Sequence, residues 1–509
     1  MERYLIAHDL GTSASKASLF RTDGQLIASS ETAYPTTITN NGRGAEQNPE
    51  DWWRAFCRNN AALMEQACAG TVEAVAVSGQ MMACLPLDAE GNPLHPCMIW
   101  ADNRAEEEAR VLKQQLGTAG YYAITGNCPS ANYSAEKIMW LKRHMPGIYE
   151  KTAAFVQPKD YITFRLTGRF VTDQTDAGHM HLYDIFQRCW SDKMIRAAGL
   201  DGAKLPQVIP AGAPLARLGA EKAAECGLPA GVLLVQGAGD GRAAMLGSGV
   251  YDSGDAYISL GTSSWFCQTG TKEGTDPEYG LYKGLSLREG YYANGGTMSA
   301  GGLSYSWFRN TLCELELGQW RQAGLSPFAA LDEALSGIPA GAHGVMFLPY
   351  LHGERAPYFD PMAKAAFLGL SDDNNKLDMG KSVLEGVALH LKLIMNRVAK
   401  LDEIRSLRIV GGGAKSTLWR QIIADVFQMP VGKTTFDLEA GNLGTAVLAG
   451  KGAGIYADLS VVKEFNRVES LSLPNAKHGE IYGRMQPAFE EAYRALCPVN
   501  RLLDDLKHI

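Results

Sequence analysis

Residues 6–13 read IAHDLGTS and residues 257–263 read YISLGTS, so a strand-like run leads twice into Leu-Gly-Thr-Ser. Gly11 and Gly261 lie 250 positions apart, which is almost half of the 509-residue chain. A repeat at this distance indicates two related domains, because solenoid repeats recur every ~20–50 residues. Four shared residues can also coincide by chance, so the repeat alone leaves a duplication open. We place the boundary near Tyr251, which predicts domains 1–250 and 251–509.

The sequence after the first copy predicts an α/β domain with a mixed sheet. The run KASLFRTDGQLIASS (16–30) reads as two strands around a tight turn at Asp23-Gly24. Asn48 can cap the helix that follows, and VEAVAVSGQ (72–80) then reads as a buried strand. Alternating strands and helices are typical of a doubly wound, layered architecture.

The second half of the chain has a similar alternation of its own. KLDMGKSVLEGVALHLKLIMNRVAKL (376–401) predicts a long helix, and SLRIV (406–410) predicts a strand that ends in three glycines. The tail, residues 483–506, reads as a terminal amphipathic helix. Each half therefore supplies the elements of a layered domain.

The composition is that of a globular protein and excludes several functional classes. Hydrophobic residues make up 46% and charged residues 20%, which excludes a disordered or fibrous chain. The net charge is −7 and there are no Lys/Arg runs, so neither a nucleic acid nor a membrane is an expected partner. The ten cysteines form no C-x-x-C pair, so we expect reduced thiols, no zinc site and a cytoplasmic protein. No spanning helix is expected, since no apolar run reaches ~18 residues. No signal peptide is expected either, because the N-terminus carries charge at Glu2 and Arg3 and its apolar run is too short.

Each Leu-Gly-Thr-Ser turn is a candidate phosphate-binding turn. A glycine between a strand and a hydroxyl pair lets backbone N–H groups approach a phosphate, and the hydroxyls add donors. Asp9 precedes the first turn, whereas Ser259 stands at the corresponding position before the second. Only the first turn therefore has a carboxylate beside it, as a single Mg²⁺ bound to the phosphates would require. Lys16 is a further candidate contact for an anionic oxygen. The alternative for either turn alone is a polar hairpin turn in which Asp9 accepts hydrogen bonds from backbone amides.

A single carboxylate, Asp240, is the candidate catalytic group. The run LLVQGAGDGRAAMLG (233–247) places it between two glycines at a strand-to-helix corner. This leaves the carboxylate open to a substrate, as a general base for phosphoryl transfer to a hydroxyl requires. The alternative is that Asp240 caps the following helix, and taken alone the pattern favours the cap.

The glycine triplet at 411–413 is a candidate surface for a flat ligand, because it exposes bare backbone between a strand and a helix. The common nucleotide-binding motifs are absent. GAGDGR (237–242) has Arg242 at the last glycine position of G-x-G-x-x-G, and GKT (432–434) has Phe427 where a P-loop has its first glycine. Any nucleotide is therefore held in another way.

Three polar and aromatic segments are candidates for a polyol site: SGQMMA (78–83), WADNRAEEEAR (100–110) and SANYSAEKIMWLKRH (130–144). Trp100 would supply an apolar wall and Asp102 a carboxylate for hydroxyl groups. The alternative, which the sequence supports equally, is a core tryptophan followed by an Asp/Arg ion pair at a helix start.

With these motifs in place, the chain resembles the FGGY carbohydrate kinases over its whole length, and among them the xylulokinases most. The motifs that carry the resemblance are DLGTS (9–13), EQNPEDWW (46–53), GQM (79–81), WADNR (100–104), PKDYITFRLTG (158–168), GDG (239–241), SLGTS (259–263), LPYLHGERAPYFDP (348–361), AFLGL to VLEGVAL (366–389) and GGGAKS to WRQIIAD (411–425). The stretch 365–385 fits the second family signature, and the stretch near Lys137–Trp140 fits the other except at Asn132. So many motifs in order are specific for the family.

The resemblance implies two actin-like (ribonuclease-H-like) α/β domains with mixed sheets flanking a deep catalytic cleft. It implies that 1–250 binds mainly the sugar and 251–509 mainly ATP, with ATP and Mg²⁺ as cofactors. Asp240 corresponds to the catalytic base, and Asp9 to the carboxylate on the Mg²⁺ side. The predicted ATP phosphate-binding residues are Gly11, Thr12, Ser13, Lys16, Gly261, Thr262 and Ser263, and the adenosine-binding residues are Gly411, Gly412, Gly413 and Ala414. The predicted substrate-binding residues are Gln80, Met81, Met82, Trp100, Asp102, Asn132 and Asp240.

The sequence departs from the xylulokinase pattern in the predicted sugar pocket. Met82 stands where a histidine is usual and Gly241 where an asparagine is usual, so two hydrogen-bonding groups are missing. A buried hydroxyl without its partner costs ~1–3 kcal/mol, which is enough for one to two decades of selectivity. His8 also replaces the usual glycine before Asp9, and the Arg-Glu pair of glycerol kinases is absent after Gln80. D-Xylulose and glycerol are therefore both disfavoured as the best substrate, while the phosphoryl-transfer residues are intact.

The resulting hypothesis is an ATP-dependent sugar kinase acting on a terminal hydroxyl of a xylulose-like ketopentose or a related polyol. The alternatives are a kinase of another polyol or sugar acid, a non-catalytic actin-like ATP-binding sugar sensor, and an actin-like chaperone ATPase. A sensor needs no base, so Asp240 argues against it, and no peptide-binding β domain is evident for a chaperone. The expected partner is a small sugar or polyol, and a homodimer is a candidate assembly because dimers are common in the family.

Overall fold

The computed structural model describes residues 2–67, 70–271, 273 and 280–505. By contacts between residues, the chain divides into two units. The first unit comprises Met1–Tyr251, Lys283–Ala293 and Glu439–Arg467, and the second comprises Asp252–Tyr282, Asn294–Leu438 and Val468–Ile509. The first change of unit lies between Tyr251 and Asp252, and two later segments, 283–293 and 439–467, return to the first unit.

The strands are short to medium in length and occur throughout both units. In chain order they are β1 (Arg3–Leu10), β2 (Ala14–Arg21), β3 (Leu26–Ala33), β4 (Thr37–Thr39), β5 (Gly44–Gln47), β6 (Thr71–Gly79), β7 (Leu85–Leu87), β8 (Cys97–Met98), β9 (Ala154–Val156), β10 (Val171–Thr172), β11 (Tyr183–Asp184), β12 (Cys189–Trp190), β13 (Gln207–Val208), β14 (Pro214–Arg217), β15 (Leu233–Val235), β16 (Asp255–Leu260), β17 (Ser264–Gly270), β18 (Tyr282–Leu285), β19 (Tyr292–Met298), β20 (Met346–Leu348), β21 (Ala366–Leu368), β22 (Ser406–Val410), β23 (Val431–Thr434) and β24 (Val468–Ser472).

Helices separate the strands in both units. In chain order they are α1 (Pro49–Met64), α2 (Glu106–Thr125), α3 (Ser134–His144), α4 (Pro146–Lys151), α5 (Pro158–Thr167), α6 (Gln174–His179), α7 (Asp192–Ala198), α8 (Ala220–Glu225), α9 (Asp240–Gly247), α10 (Gly302–Leu312), α11 (Glu314–Gln322), α12 (Pro327–Ser336), α13 (Lys376–Ala399), α14 (Thr417–Phe427), α15 (Ala440–Gly452), α16 (Val462–Phe465) and α17 (Ala476–Asp505). Within the described residues, none of these helices combines the length and apolarity that a membrane crossing requires.

Two large mixed sheets share one strand pattern. Their orders are β14-β15-β6-β1-β2-β3 and β18-β19-β17-β16-β22-β23-β24. β1 is antiparallel to β2 and parallel to β6, just as β16 is antiparallel to β17 and parallel to β22. Beyond these, β15 and β23 add a further parallel strand, and β14 and β24 close the edges in antiparallel orientation. The matching pattern around the two Leu-Gly-Thr-Ser turns is that of two related halves, and the predicted α/β class with mixed sheets is confirmed.

Local signals account for most element boundaries. The predicted hairpin joins β2 to β3, and Gly24 takes the positive φ of +89° that the turn requires. The Asn48 side chain caps α1 by accepting from the Glu50 N–H. The tail helix α17 starts at Ala476 and not at the predicted residue 483, because the Asn475 side chain accepts from the Lys477 N–H and caps about two additional turns.

Each unit has its own core of apolar side chains. In the first unit, Trp52 and Phe56 of α1 pack with the apolar residues of β1, β2 and β6. In the second unit, the core is formed around α13, most of whose residues are buried, together with Trp419 of α14 and Tyr350. The strand ends that carry the two Leu-Gly-Thr-Ser turns are therefore anchored in well-packed sheets.

Candidate active site

The first predicted phosphate turn, Gly11–Ser13, links β1 to β2. Its carbonyl groups are held from the protein side: the Tyr34 hydroxyl donates to the Gly11 oxygen at 2.6 Å, and Gln47 Nε2 donates to the Thr12 oxygen at 2.5 Å. These bonds fix the main chain of the turn before any ligand binds, which is the property that a backbone anion site requires.

Asp9 lies at the end of β1, among residues of three other elements. Ser78 on β6 donates to Asp9 Oδ1 at 3.4 Å, and a Cβ built on Gly441 of α15 would lie 3.3 Å from Asp9 Oδ2. Lys16 faces Asp9 across the β1–β2 pair and forms an ion pair with Glu439. Burial raises the pKa of Asp9 to about 6, although the Ser78 hydroxyl and the Lys16 charge act in the opposite direction.

Asp240 is the first residue of α9 and is partly exposed. Its Oδ1 accepts from the Gly241 N–H at 2.6 Å, and the cap position of the helix is occupied by Gly239. The alternative of Asp240 as a helix cap is therefore wrong. Burial, followed by the charge of Asp9, raises the pKa of Asp240 to about 7.

The corner before Asp240 is fixed by a buried polar network. The Gly239 N–H donates to Thr175 Oγ1 at 3.0 Å, and the Thr175 hydroxyl donates to Asp173 Oδ2 at 2.5 Å. The other oxygen of Asp173 lies 3.0 Å from the buried ammonium of Lys159, which also contacts two further carboxylates. The main chain that presents Asp240 is thus tied to an ionic cluster in the interior.

Met81 and Met82 follow β6 and lie close to this corner. A Cβ on Gly239 would come within 2.4 Å of Met81 Cε, so the thioether packs directly on the main chain before Asp240. Met82 is half-buried and has a φ of +62°, a left-handed conformation that is unfavourable for a non-glycine residue.

Gln80, a predicted substrate-binding residue, lies next to the first predicted phosphate turn. Its side chain is buried and donates through Nε2 to Gln47 Oε1 at 2.7 Å, and Gln47 in turn holds the Thr12 carbonyl. Gln80 therefore supports the first predicted phosphate turn through Gln47, and its substrate contact stays a prediction.

Trp100 and Asn132 lie together beside the first turn. Asn132 Nδ2 donates to the Trp100 carbonyl at 2.9 Å, and Trp100 Nε1 donates to the Thr12 hydroxyl at 2.8 Å. The indole is 37% exposed, so Trp100 is an accessible wall and not the core tryptophan of the alternative.

Asp102, by contrast, is fully buried. Its Oδ2 accepts from the Ala45 N–H at 2.9 Å and forms an ion pair with Arg104 at 2.8 Å. The Asp/Arg ion pair of the alternative is therefore what the structure shows at this position. Both carboxylate oxygens of Asp102 already accept from protein donors, so its substrate contact stays a prediction.

In the second unit, the turn Gly261–Ser263 links β16 to β17 and lies against the start of α10. The Gly302 N–H donates to the Gly261 oxygen at 2.7 Å, and the Leu303 N–H donates to the Thr262 oxygen at 3.0 Å. A Cβ on Gly302 would lie 2.5 Å from the Gly261 oxygen, so this close approach requires glycine.

The predicted adenosine turn, Gly411–Ala414, is adjacent to Gly261–Ser263, the second predicted phosphate turn. Gly411 has a φ of +93°, and a Cβ there would lie 2.9 Å from the Leu260 oxygen. A Cβ on Gly413 would lie 2.6 Å from the Leu260 side chain. Because Leu260 directly precedes Gly261, the second unit brings the two predicted nucleotide turns together.

Models of protein families match most of both halves. The N-terminal domain model of the FGGY family of carbohydrate kinases matches residues 4–247, and its C-terminal domain model matches residues 256–453. The chain belongs to the FGGY family of carbohydrate kinases.

Relatives of this carbohydrate kinase include proteins with two different substrate names. It is 31% identical to the xylulose kinase of Escherichia coli (strain K12) over 97% of this chain and 99% of the relative. It is 28% identical to the gluconokinase of Bacillus licheniformis over 97% of this chain and 96% of the relative. Its fold matches the crystal structure of a ligand-bound xylulose kinase from Lactobacillus acidophilus with a TM-score of 0.89, at 26% identity over 97% of this chain and 98% of that chain.

The carboxylates of the kinase fit a Mg²⁺ ion that is shared with substrate phosphates. Asp9 and Asp240 supply hard oxygen donors, and the charge of Asp9 is, after burial, a cause of the raised pKa of Asp240, as expected for neighbouring carboxylates. Mg²⁺ is usually held by one or two carboxylates together with phosphate oxygens. Among the described residues, no group of three or more His, Cys, Asp or Glu side chains forms a metal site of its own.

Several site residues of the kinase have no local sequence signal. Glu439 and Gly441 reach the Asp9 site from the start of α15, more than 400 positions away in the chain. Thr175 lies in a short helix whose sequence has no recognisable catalytic pattern. Lys159, to which Thr175 is linked through Asp173, does have a signal, because it lies in PKDYITFRLTG, one of the motifs of the resemblance.

His8, which is unusual for the family at this position, lies outside the site. It is fully buried, its Nε2 lies 2.8 Å from Asn60 Oδ1, and its ring packs 4.4 Å from that of Phe56. Burial lowers the pKa of His8 to about 4, so the ring is neutral and acts as a core residue between β1 and α1.

Proposed function

We propose that this kinase transfers the γ-phosphoryl group of ATP to a terminal hydroxyl of a ketopentose or a related polyol, with Asp240 as the general base. The observation that carries the proposal is the environment of Asp240. It is partly exposed at the start of α9, beside Asp9, and its pKa is raised to about 7. A carboxylate with a pKa near neutrality accepts a proton efficiently at physiological pH.

The proposed reaction is a direct transfer. The substrate hydroxyl gives its proton to Asp240 while its oxygen forms a bond to the γ-phosphorus, and the bond from that phosphorus to the β–γ bridging oxygen breaks, releasing ADP. Asp9 is the proposed Mg²⁺ carboxylate, and Mg²⁺ when bound neutralises charge on the phosphate oxygens. The Thr175–Gly239 bond holds the main chain of Asp240 in place during the transfer.

The proposed nucleotide contacts follow the adjacent turns. Gly261–Ser263 offers backbone N–H groups and hydroxyls to the phosphates, and Gly411–Ala414 offers exposed backbone to the adenosine. Gly11–Ser13 and Lys16 are proposed to contact the transferred phosphoryl group, since they adjoin Asp9 in the first unit. We accordingly propose that the first unit binds mainly the sugar and the second mainly ATP.

The proposed sugar pocket is formed by the residues around the Asp240 corner. Met81 packs on Gly239, and Trp100 presents a partly exposed indole beside the first turn. A sugar acid is the second candidate substrate, because gluconokinases are found among the relatives at nearly the same identity as xylulose kinases.

A coupled assay of ADP release with a sugar panel tests the proposal. The panel contains D-xylulose and other ketopentoses, tetritols, hexuloses and gluconate, each with ATP and Mg²⁺. ADP release that depends on a ketopentose or polyol supports the proposal, and gluconate as the best substrate supports the second candidate. Sugar binding without ADP release, or ATP hydrolysis that is independent of every sugar, would contradict both.

A further inference from the structure

A buried lysine, Lys137, lies at the centre of the predicted sugar-binding segments. It is on α3, its side chain is fully buried, and its ammonium donates three hydrogen bonds to main-chain carbonyl oxygens. The acceptors are the carbonyls of Met82 at 2.8 Å, Ile99 at 2.6 Å and Asn132 at 2.6 Å. An ammonium has three N–H groups, so every donor of Lys137 is used.

The three carbonyls belong to segments that are far apart in the chain. Met82 follows β6, Ile99 follows β8, and Asn132 precedes α3. Each segment carries a predicted sugar contact: Met82 itself, Trp100 directly after Ile99, and Asn132 itself. One ammonium therefore connects the main chains of all three parts of the predicted pocket.

The charge of Lys137 has no direct carboxylate partner in the described part of the chain. Burial is the main influence and lowers the pKa of Lys137 to about 8, while the nearby charges of Asp102 and Glu136 act in the opposite direction. The ammonium is instead satisfied by the three carbonyl dipoles, and hydrogen bonds to a charged donor are the strong ones. A residue needed only for packing at such a position would be apolar, because a buried charge is costly.

The main chain that Lys137 holds at Met82 is strained. Met82 has a φ of +62°, and the next residue, Ala83, is fixed on both sides: its N–H donates to Gln157 Oε1 at 2.8 Å, and its carbonyl accepts from the Ser134 hydroxyl at 2.6 Å. A left-handed non-glycine residue persists only where its surroundings hold it. The hydrogen bond from Lys137 to the Met82 carbonyl stabilises the main chain directly at this strained residue.

We propose that Lys137 is a positioning residue for the sugar: its ammonium fixes the three segments in one arrangement and thereby sets the affinity for the sugar. The proposal rests on the proposed function, because it takes the three segments to be the sugar pocket. Lys137 does not touch the substrate. Loss of Lys137 should therefore weaken sugar binding and leave nucleotide binding at the proposed turns of the second unit unchanged.

The test compares Lys137→Met, which keeps the length of the side chain and removes the charge, with wild type. Sugar affinity is measured as KM in the ADP assay and as Kd from the quenching of tryptophan fluorescence by D-xylulose and by gluconate. Loss of the charged donor should raise the sugar KM and Kd by ~10–100-fold, while the KM for ATP changes by less than about two-fold. Ile138→Val is the matched control, since Ile138 is the next buried residue of α3 and its truncation leaves the three carbonyls bonded.

A folded Lys137→Met variant with wild-type sugar affinity would overturn the proposal. Lys137→Gln keeps two N–H donors and should recover part of the affinity. If both variants fail to fold while Ile138→Val folds, Lys137 serves the stability of the unit and the proposal is wrong. Wild-type protein that binds sugar without releasing ADP would overturn the proposed function only, since the Kd comparison would still decide the role of Lys137.

Discussion

Thr175 and Gly239 are joined by a buried hydrogen bond, in which the Gly239 N–H donates to Thr175 Oγ1 at 3.0 Å, one residue before Asp240. Because the Thr175 hydroxyl also donates to Asp173, the main chain at the corner between β15 and α9 cannot shift without disturbing a buried ionic cluster. The proposed base is held in place by its main chain as much as by its own side-chain contacts.

Replacing Thr175 by valine tests this arrangement. Valine has the same shape but leaves the Gly239 N–H without an acceptor, which costs ~1–3 kcal/mol at a buried site and frees the corner to move. We expect kcat to fall ~10-fold, because small displacements of a catalytic group are costly. Thr175→Ser keeps the hydroxyl and should retain most of the activity. A folded valine variant with wild-type kcat would show that the bond does not position Asp240.

The proposed general-base role predicts the effect of Asp240→Asn. The amide is nearly isosteric but accepts a proton poorly, so kcat should fall by ~10²–10⁴-fold, while the affinity for ATP stays nearly unchanged. Asp23→Asn makes the same chemical change at an exposed turn of the first unit and serves as the control. Near-wild-type turnover in Asp240→Asn would remove Asp240 from this role.

The sequence predicts those structural features that depend on residues close together in the chain. The two Leu-Gly-Thr-Ser runs indicated related halves, and the matched strand patterns around β1 and β16 agree with that prediction. The glycines on both sides of Asp240 indicated an open carboxylate at a strand-to-helix corner, which is where the structure places it.

Contacts between distant segments could not be predicted in this way. The ion pair of Lys16 with Glu439 joins residues more than 400 positions apart, and the three carbonyls at Lys137 come from three separate segments. Asp102 shows the same limit, because the pattern could not say that Arg104 and the Ala45 N–H would take up its oxygens. Side-chain partners depend on tertiary packing, which a local pattern does not contain.

The departures from the xylulokinase pattern in the proposed sugar pocket predict a gain of activity. Gly241 has room for a side chain, since a Cβ built there would meet only Met81 Sδ, at 4.0 Å, among the described residues outside its own chain neighbours. In the double variant Met82→His/Gly241→Asn, two hydrogen-bonding groups return, and kcat/KM for D-xylulose should rise by ~10–100-fold. Gly241→Ala, which fills the space without adding an amide, is the control and should give no gain. An unchanged ratio of D-xylulose to gluconate turnover would show that these two positions do not select the sugar.

His8 predicts a pH dependence of stability that is separate from catalysis. Burial lowers its pKa from the ordinary 6.5 to about 4, so the unfolded chain binds a proton more readily than the folded one between these values. The stability that neutral His8 contributes is therefore complete above pH 6.5 and is lost as the pH falls toward 4. His8→Gln keeps an N–H donor for Asn60 but does not titrate, and the other histidines are the same in both proteins. Between pH 7 and pH 5, wild type should lose about 2 kcal/mol more of its free energy of unfolding than the variant, as measured by urea denaturation. Equal losses in the two proteins would contradict the prediction, because they would mean that the pKa of His8 is the same in the folded and in the unfolded chain.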